Sequence, residues 1–337
     1  MASPSFSRFK NERVLSEEEI GIIKAWVSAG CKEGKRRKQV NWVEFLRDSL
    51  GQQDPDLVVS MNAAHSIAGD NKEQFRIFVL PTHLPKDRWV KSVEFMPGNY
   101  NVVHHARIMI DTTNLLRRDD GIAVGEKSEL ERTGIDFYDR FWAGWVPGNK
   151  AITYPDGVAK RLPKNADLVI NIHYSPSSVP ASDQSSVRIC FSKSSRVLPV
   201  STFILDEDDI TNGPFFLPAH AKSQFFMRSP LLPFDMELLS VLPHMHKLGK
   251  SFRSFAITPK GEMVPLIDIP RWNFNWQATY QFKPGCVLPK GTVIYAEATY
   301  DNTVENPANP NFPPQDVGYG WGTKQEMMNL IFEYIKQ

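Results

Sequence analysis

Two histidines separated by one residue, His244 and His246 in SVLPHMHKLGKSF (residues 240–252), are the clearest chemical signal in the chain. In an extended segment alternate side chains share a face, so the two imidazoles point one way and Met245 the other. Two imidazoles aimed at one point are part of a metal site. Three more histidines fall in runs that read as strands: His104 and His105 in NVVHHARIMI, and His173 in INIHY. Neighbours on a regular strand face opposite sides, so His104 and His105 reach one metal only if the strand bulges there. Each of these residues, taken alone, also reads as an ordinary strand histidine. Five of them buried without partners would be costly, and metal binding removes that cost. Three nitrogens in the first half make one complete site, and two in the second half leave a site one ligand short. GTKQEMMNLIFEY offers Met327 and Met328 as the missing donor, although methionine is more often gap-filling core. Thioether sulfur combined with imidazole suits copper, Cu(I) above all. His65, His83 and His220 stand in loop-like contexts and are expected at the surface or in turns.

The elements that must carry these residues read as short strands after a helical front end. Ser16 with Glu19 is a capping-box pattern, Ile20, Ile23 and Val27 keep helical spacing, and Gly30 is placed to end the helix. A second helix is expected in NWVEFLRDSL (41–50), and the basic run KEGKRRK (32–38) between them reads as a solvated linker. From Asp54 onward short apolar or alternating runs (FRIFVL, VVHHARIMI, DLVINIHY, VRICFS, SFAITP, TVIYAEATY) are separated by Pro, Gly and Asn signals. That texture belongs to β-sandwiches and jelly rolls. LPKNADLVINIHY (162–174) aligns without gaps on LPKGTVIYAEATY (288–300), each run closing on Tyr. The expected architecture is therefore mainly β: two tandem antiparallel jelly-roll sandwiches, 54–200 and 201–337, behind a short helical N-terminal segment, 1–53.

Composition narrows the function classes. Lys plus Arg is 39 against Asp plus Glu 38, so no global field favours nucleic acid. Cys31, Cys190 and Cys286 form no CxxC or CxxCH pattern, which argues against covalent haem and cysteine-held zinc. No apolar run reaches the roughly 18 residues of a membrane span, and the first residues lack the apolar stretch of an export signal.

Taken together and in order, VVHH, INIHY, PHMHKLGK and EMMNL resemble the copper type II, ascorbate-dependent monooxygenases, over about residues 54–335. The resemblance implies paired jelly-roll domains and two copper ions facing each other across an open cleft. His104, His105 and His173 would hold the electron-transfer copper, and His244, His246 and Met327 the oxygen-binding copper. It also implies O2 as co-substrate, ascorbate or another one-electron reductant, and hydroxylation of a C–H bond. The alternative on the same scaffold is a non-catalytic copper-binding or electron-transfer protein. Departures matter. Leu242 stands where peptide-amidating members carry a carboxylate-binding Arg, and Ile331 where they carry a Tyr, while Asn329 is kept as a substrate-cleft candidate. A small organic or lipid-like substrate is thus expected rather than a peptide C-terminus. GWVPG (144–148) and DNTVENP (301–307) are similar to the bacterial branch, in which a c-type cytochrome often precedes the copper domains. LSEEEIGIIKAWVSAGCKEG resembles the last helix of such a cytochrome without its haem motif. A cytochrome-type electron donor and an extracytoplasmic setting are the matching expectations.

Overall fold

Ser16 opens the one α-helix found among the described residues, Glu17–Ser28. These residues are 2, 3, 6, 9, 10, 15–34, 54–124, 141–320 and 322–337 of a computed structural model. The Glu19 N–H donates to Ser16 Oγ at 3.2 Å and the Ser16 N–H donates to the Glu19 carboxylate at 2.7 Å, satisfying two helix-end donors reciprocally. Gly30, at φ +81°, turns the chain out of the helix in the left-handed region. The helix expected over 41–50 and residues 35–38 of the basic run lie outside the described residues.

From residue 54 on, the described chain is mainly β, in several antiparallel sheets. All six runs picked out in the sequence are strands. FRIFVL falls in Gln74–Pro81 and DLVINIHY is Asp167–Tyr174; VVHHARIMI overlaps Val103–Asp111, VRICFS Ser186–Phe191, SFAITP the end of Gly249–Ile257 and TVIYAEATY Val293–Asp301, each to within one or two residues.

The internal similarity has a structural counterpart. One four-stranded sheet runs in the order Gln74–Pro81, Asp167–Tyr174, Val103–Asp111, Phe141–Trp145. A second runs Lys222–Arg228, Val293–Asp301, Gly249–Ile257, Met263–Ile269. The two similar segments each hold the second place, paired on both edges. Their closing tyrosines are buried, and each donates its hydroxyl at 2.8 Å: Tyr174 to Asp183 Oδ2, Tyr300 to the carbonyl of Met327.

Apolar side chains gather in two main cores. One draws on residues 59–191, including Val90, Ile108, Leu168 and Ile189; the other is almost wholly from 205–332, including Val241, Phe252, Ile294 and Phe332. A third sheet runs past both. Its central path takes Arg88–Met96, Val158–Leu162, Leu198–Leu205, Asn329–Lys336 and Met236–His244 in that order. The expected junction between residues 200 and 201 lies inside strand Leu198–Leu205. Leu198 and Pro199 pair in parallel with Val158 and Ala159, while Val200 to Leu205 pair antiparallel with Ile335 to Leu330. Beside this crossing sits a buried polar knot. Lys160 Nζ donates to Glu333 Oε1 at 2.7 Å and to the Trp142 carbonyl at 2.6 Å, and the hydroxyls of Tyr154 and Ser240 donate to the same carboxylate at 2.8 and 3.1 Å.

Candidate metal centre

The strand Val103–Asp111 slips its register against Asp167–Tyr174 between Val103 and His105, so His104 is the extra residue of a bulge. This is the distortion that adjacent histidines need to face one point. His105 lies directly opposite His173. The ligand nitrogens of His104, His105 and His173 all fall within 4.8 Å of one another, and the Nδ1 atoms of His104 and His105 are 3.1 Å apart. Outer partners hold the far sides of two rings. His173 Nε2 donates to Glu73 Oε2 at 3.2 Å, and His104 Nε2 contacts Asn275 Oδ1 at 3.1 Å. Such partners fix tautomer and ring orientation around a metal. His173 Nδ1 is then left buried with no hydrogen-bond partner, an arrangement costly unless something else accepts its lone pair.

His244 ends strand Met236–His244, and the chain turns immediately after it. Met245 is fully buried in the second core, while the rings of His244 and His246 lie 5.1 Å apart at 86°. His246 Nδ1 donates to the Gln325 carbonyl at 2.9 Å, leaving Nε2 as the available donor atom. Gly249 is needed here, because a Cβ at that position would come within 2.8 Å of Met245 Cε and 3.0 Å of Trp272. The neighbouring strand Asn329–Lys336 sets His244 opposite Asn329 and Leu242 opposite Ile331. The two candidate methionines, just before this strand, pack apart. Met327 is buried with Ile331, Leu242 and Phe141, whereas Met328 belongs to the second core. Asn329 is fully buried and its amide donates to Glu207 at 3.3 Å; it does not line the cleft beside His244.

The two histidine sets share a narrow space rather than the open cleft the resemblance implies. His105 and His246 line one cavity of about 10 Å³ together with Arg107 and Phe274. Phe274 stacks on His104 at 5.4 Å and meets His246 edge-on at 6.2 Å, and Arg107 Nη2 donates to His244 Nε2 at 2.6 Å. Outside the three-histidine set a larger cleft of about 600 Å³ opens, lined by Lys247, Lys250, Trp272 and Asn309 among others.

Burial, more than any neighbouring charge, lowers the pKa of all five histidines. His105 and His244 are held well below the ordinary imidazole value and His246 at about 4. Neutral rings with free lone pairs are the form a metal requires. The hydrogen bond from His173 holds Glu73 down at about 2, so a neutral imidazole donates to a carboxylate. The three imidazoles of His104, His105 and His173 are therefore a group that could hold a metal ion.

Sequence reasoning missed the residues that hold the ligands. Glu73, Asn275 and Gln325 carry no local signal, and Glu326 served only as a landmark. His65 is a correction. It lies in strand His65–Ile67, half-buried, stacked on Tyr174 and bonded to Gln74, because its ring fills space against that tyrosine. His83 and His220 are exposed, at φ +51° and +61°.

Glu207, which accepts the Met328 N–H at 2.9 Å, has its pKa pushed up to about 7 by burial. It binds its proton more tightly folded than unfolded, so its stabilising share is complete below pH 4.5 and is lost as pH rises through about 7. Glu207→Gln is expected to flatten the stability profile across that window by on the order of 3 kcal/mol. Denaturant unfolding at either end of the window checks it, and parallel profiles for the two proteins would show that the carboxyl is not desolvated.

Comparison with known proteins adds little. No family model matches the chain, and no curated protein matches it. Among solved structures it is similar to the major capsid protein P2 of bacteriophage PM2 (9% identity, 83% of this chain and 96% of that one, TM-score 0.29). It is also similar to VP2 of infectious bursal disease virus in a subviral particle (9% identity, 88% and 78%, TM-score 0.21). Likeness this distant carries no argument about function.

Proposed function

We propose that the chain is a copper-dependent monooxygenase built on two jelly-roll sandwiches, one around each main core. It would insert one atom of O2 into a C–H bond of a small organic or lipid-like substrate. The observation that supports this reading is the convergence of three imidazoles within 4.8 Å on a bulged strand, with His246 of the second pair lining the same small cavity as His105; Met327 enters through the resemblance. Copper would supply one-electron transfer at His104, His105 and His173 and O2 binding at His244, His246 and Met327.

The chain's own groups do the rest. Glu73, itself held by the Thr323 hydroxyl from the other half, keeps Nε2–H on His173 and leaves Nδ1 for the metal. The Gln325 carbonyl does the converse for His246. Phe274 touches a histidine of each set and fills part of the space between them. The 600 Å³ cleft beside His104 and His173 gives a small reductant such as ascorbate, or the edge of a cytochrome-type donor, access to the electron-accepting side. No haem is assigned to this chain, and an extracytoplasmic setting goes with the reading.

The test is O2 uptake by the copper-loaded chain with ascorbate across a panel of apolar organic substrates. Uptake matched mole for mole by hydroxylated product, and abolished by His244→Ala, is expected. Product formation no faster than with free copper contradicts the reading.

A further inference from the structure

One short segment of the second half reaches both histidine sets. The Thr323 hydroxyl donates to Glu73 Oε1 at 2.5 Å, across 250 residues, and the other oxygen of that carboxylate accepts from His173 Nε2 at 3.2 Å. Two residues on, the Gln325 carbonyl accepts from His246 Nδ1 at 2.9 Å, and the Glu326 carboxylate accepts the His246 backbone N–H at 2.8 Å. Residues 323–326 therefore grip one ring of each set: His246 directly, and His173 through Glu73.

The hydroxyl matters because Glu73 has another place to go. Thr323 and His173 are buried, but the Glu73 side chain is 32% exposed and forms part of the wall of the 600 Å³ cleft, where Lys247 also stands. A carboxylate that can turn to water or to a lysine loses conformational freedom by holding one geometry on a neutral imidazole. With Thr323 on one oxygen, the other stays on His173. That bond settles the His173 tautomer, and leaves Nδ1, buried and with no hydrogen-bond partner, as the lone pair for an ion.

We propose that Thr323 is a positioning residue for a metal ion at His104, His105 and His173, acting through Glu73, and that it links this group to the segment that holds His246. The proposal rests on the reading of the three histidines as a metal group, and on neither the substrate nor the oxygen chemistry. Across such a link the effects are reciprocal. An ion that fixes His173 should quiet residues 323–326, and a loosened segment should weaken the hold on the ion.

Anaerobic Cu(I) titration against a chromophoric chelator tests it in a His244→Ala parent, which takes one imidazole from the other set. Thr323→Val removes the hydroxyl and keeps the shape; it should weaken binding about tenfold or more, while Thr323→Ser should stay within about threefold of the parent. Glu73→Ala should weaken binding to a similar degree, and Thr323→Val added to it should weaken binding no further. Hydrogen exchange at saturating copper should show the ion slowing the amides of residues 323–326 in the parent but not in the Val variant. Equal affinities for the Val and Ser variants, a full Val loss on top of Glu73→Ala, or protection that survives Thr323→Val overturns the proposal. His173→Ala separates the two claims. Copper binding indifferent to His173→Ala sinks the metal reading and the proposal with it, whereas binding lost in His173→Ala but kept in Thr323→Val sinks only the role of Thr323.

Discussion

Glu326→Ala is expected to destabilise the protein by roughly 3 kcal/mol or more and to empty the proposed second metal site. Glu326 is fully buried and accepts three backbone N–H groups, those of His246 at 2.8 Å, Leu248 at 2.6 Å and Met327 at 3.3 Å. These donors belong to the turn carrying His246 and to the segment carrying Met327, so one carboxyl ties together two of the proposed ligands. Burial pushes its pKa up to about 8 against the pull of the three donors, a sign of how little water reaches it. Each buried donor left without an acceptor costs about 1–3 kcal/mol. The turn cannot relax, because Gly249 already lies against Met245 and the Trp272 indole donates to the His246 carbonyl at 3.1 Å. Glu326→Gln keeps acceptor capacity on one oxygen and should fall between. Denaturant midpoints with copper analysis check this, and an Ala variant as stable as wild type would remove the clamp from the account.

Lys160→Met should cost about 3–5 kcal/mol, since it leaves the Glu333 carboxylate buried and without its cation. The side chains of both partners are only 7% exposed, too little for water to take over. The cost falls where strands of the two halves meet, so the unfolding transition as a whole should move to lower denaturant. Replacing the pair together, Lys160→Met with Glu333→Leu, should recover much of the loss, although the hydroxyls of Tyr154 and Ser240 then lose an acceptor. A double-mutant cycle by chemical denaturation measures the coupling; a single Lys160 variant within 1 kcal/mol of wild type, about the worth of an exposed pair, would mean that the pair is solvated.

What could be read from the sequence was local. Alternation around Met245 gave the direction of the HMH pair, the adjacency of His104 and His105 required a bulge, and the Tyr-closed segments led to equivalent places in two sheets. What could not be read was long-range. Glu73 reaches His173 over 100 residues, Asn275 reaches His104 over 171, and Glu326 reaches His246 over 80. No periodicity encodes such partners, because they are chosen by how strands stack rather than by how one strand alternates. The same holds for Leu198–Leu205, where a domain junction is expected from the sequence and a single strand pairs into both halves. The resemblance names Met327 over Met328, and the packing of Met327 against Leu242 and Ile331, with Met328 in the second core, could not be read from the sequence.

The central claim is tested most directly by anaerobic Cu(I) titration of the chain, followed by X-ray absorption at the copper edge. Two equivalents per chain are predicted, with a sulfur scatterer at one of them. Met327→Ile should remove the sulfur signal with one equivalent, and His173→Ala should remove the other equivalent while the sulfur signal stays. Fewer than two bound ions in the wild-type chain, or a spectrum indifferent to Met327, would contradict the account.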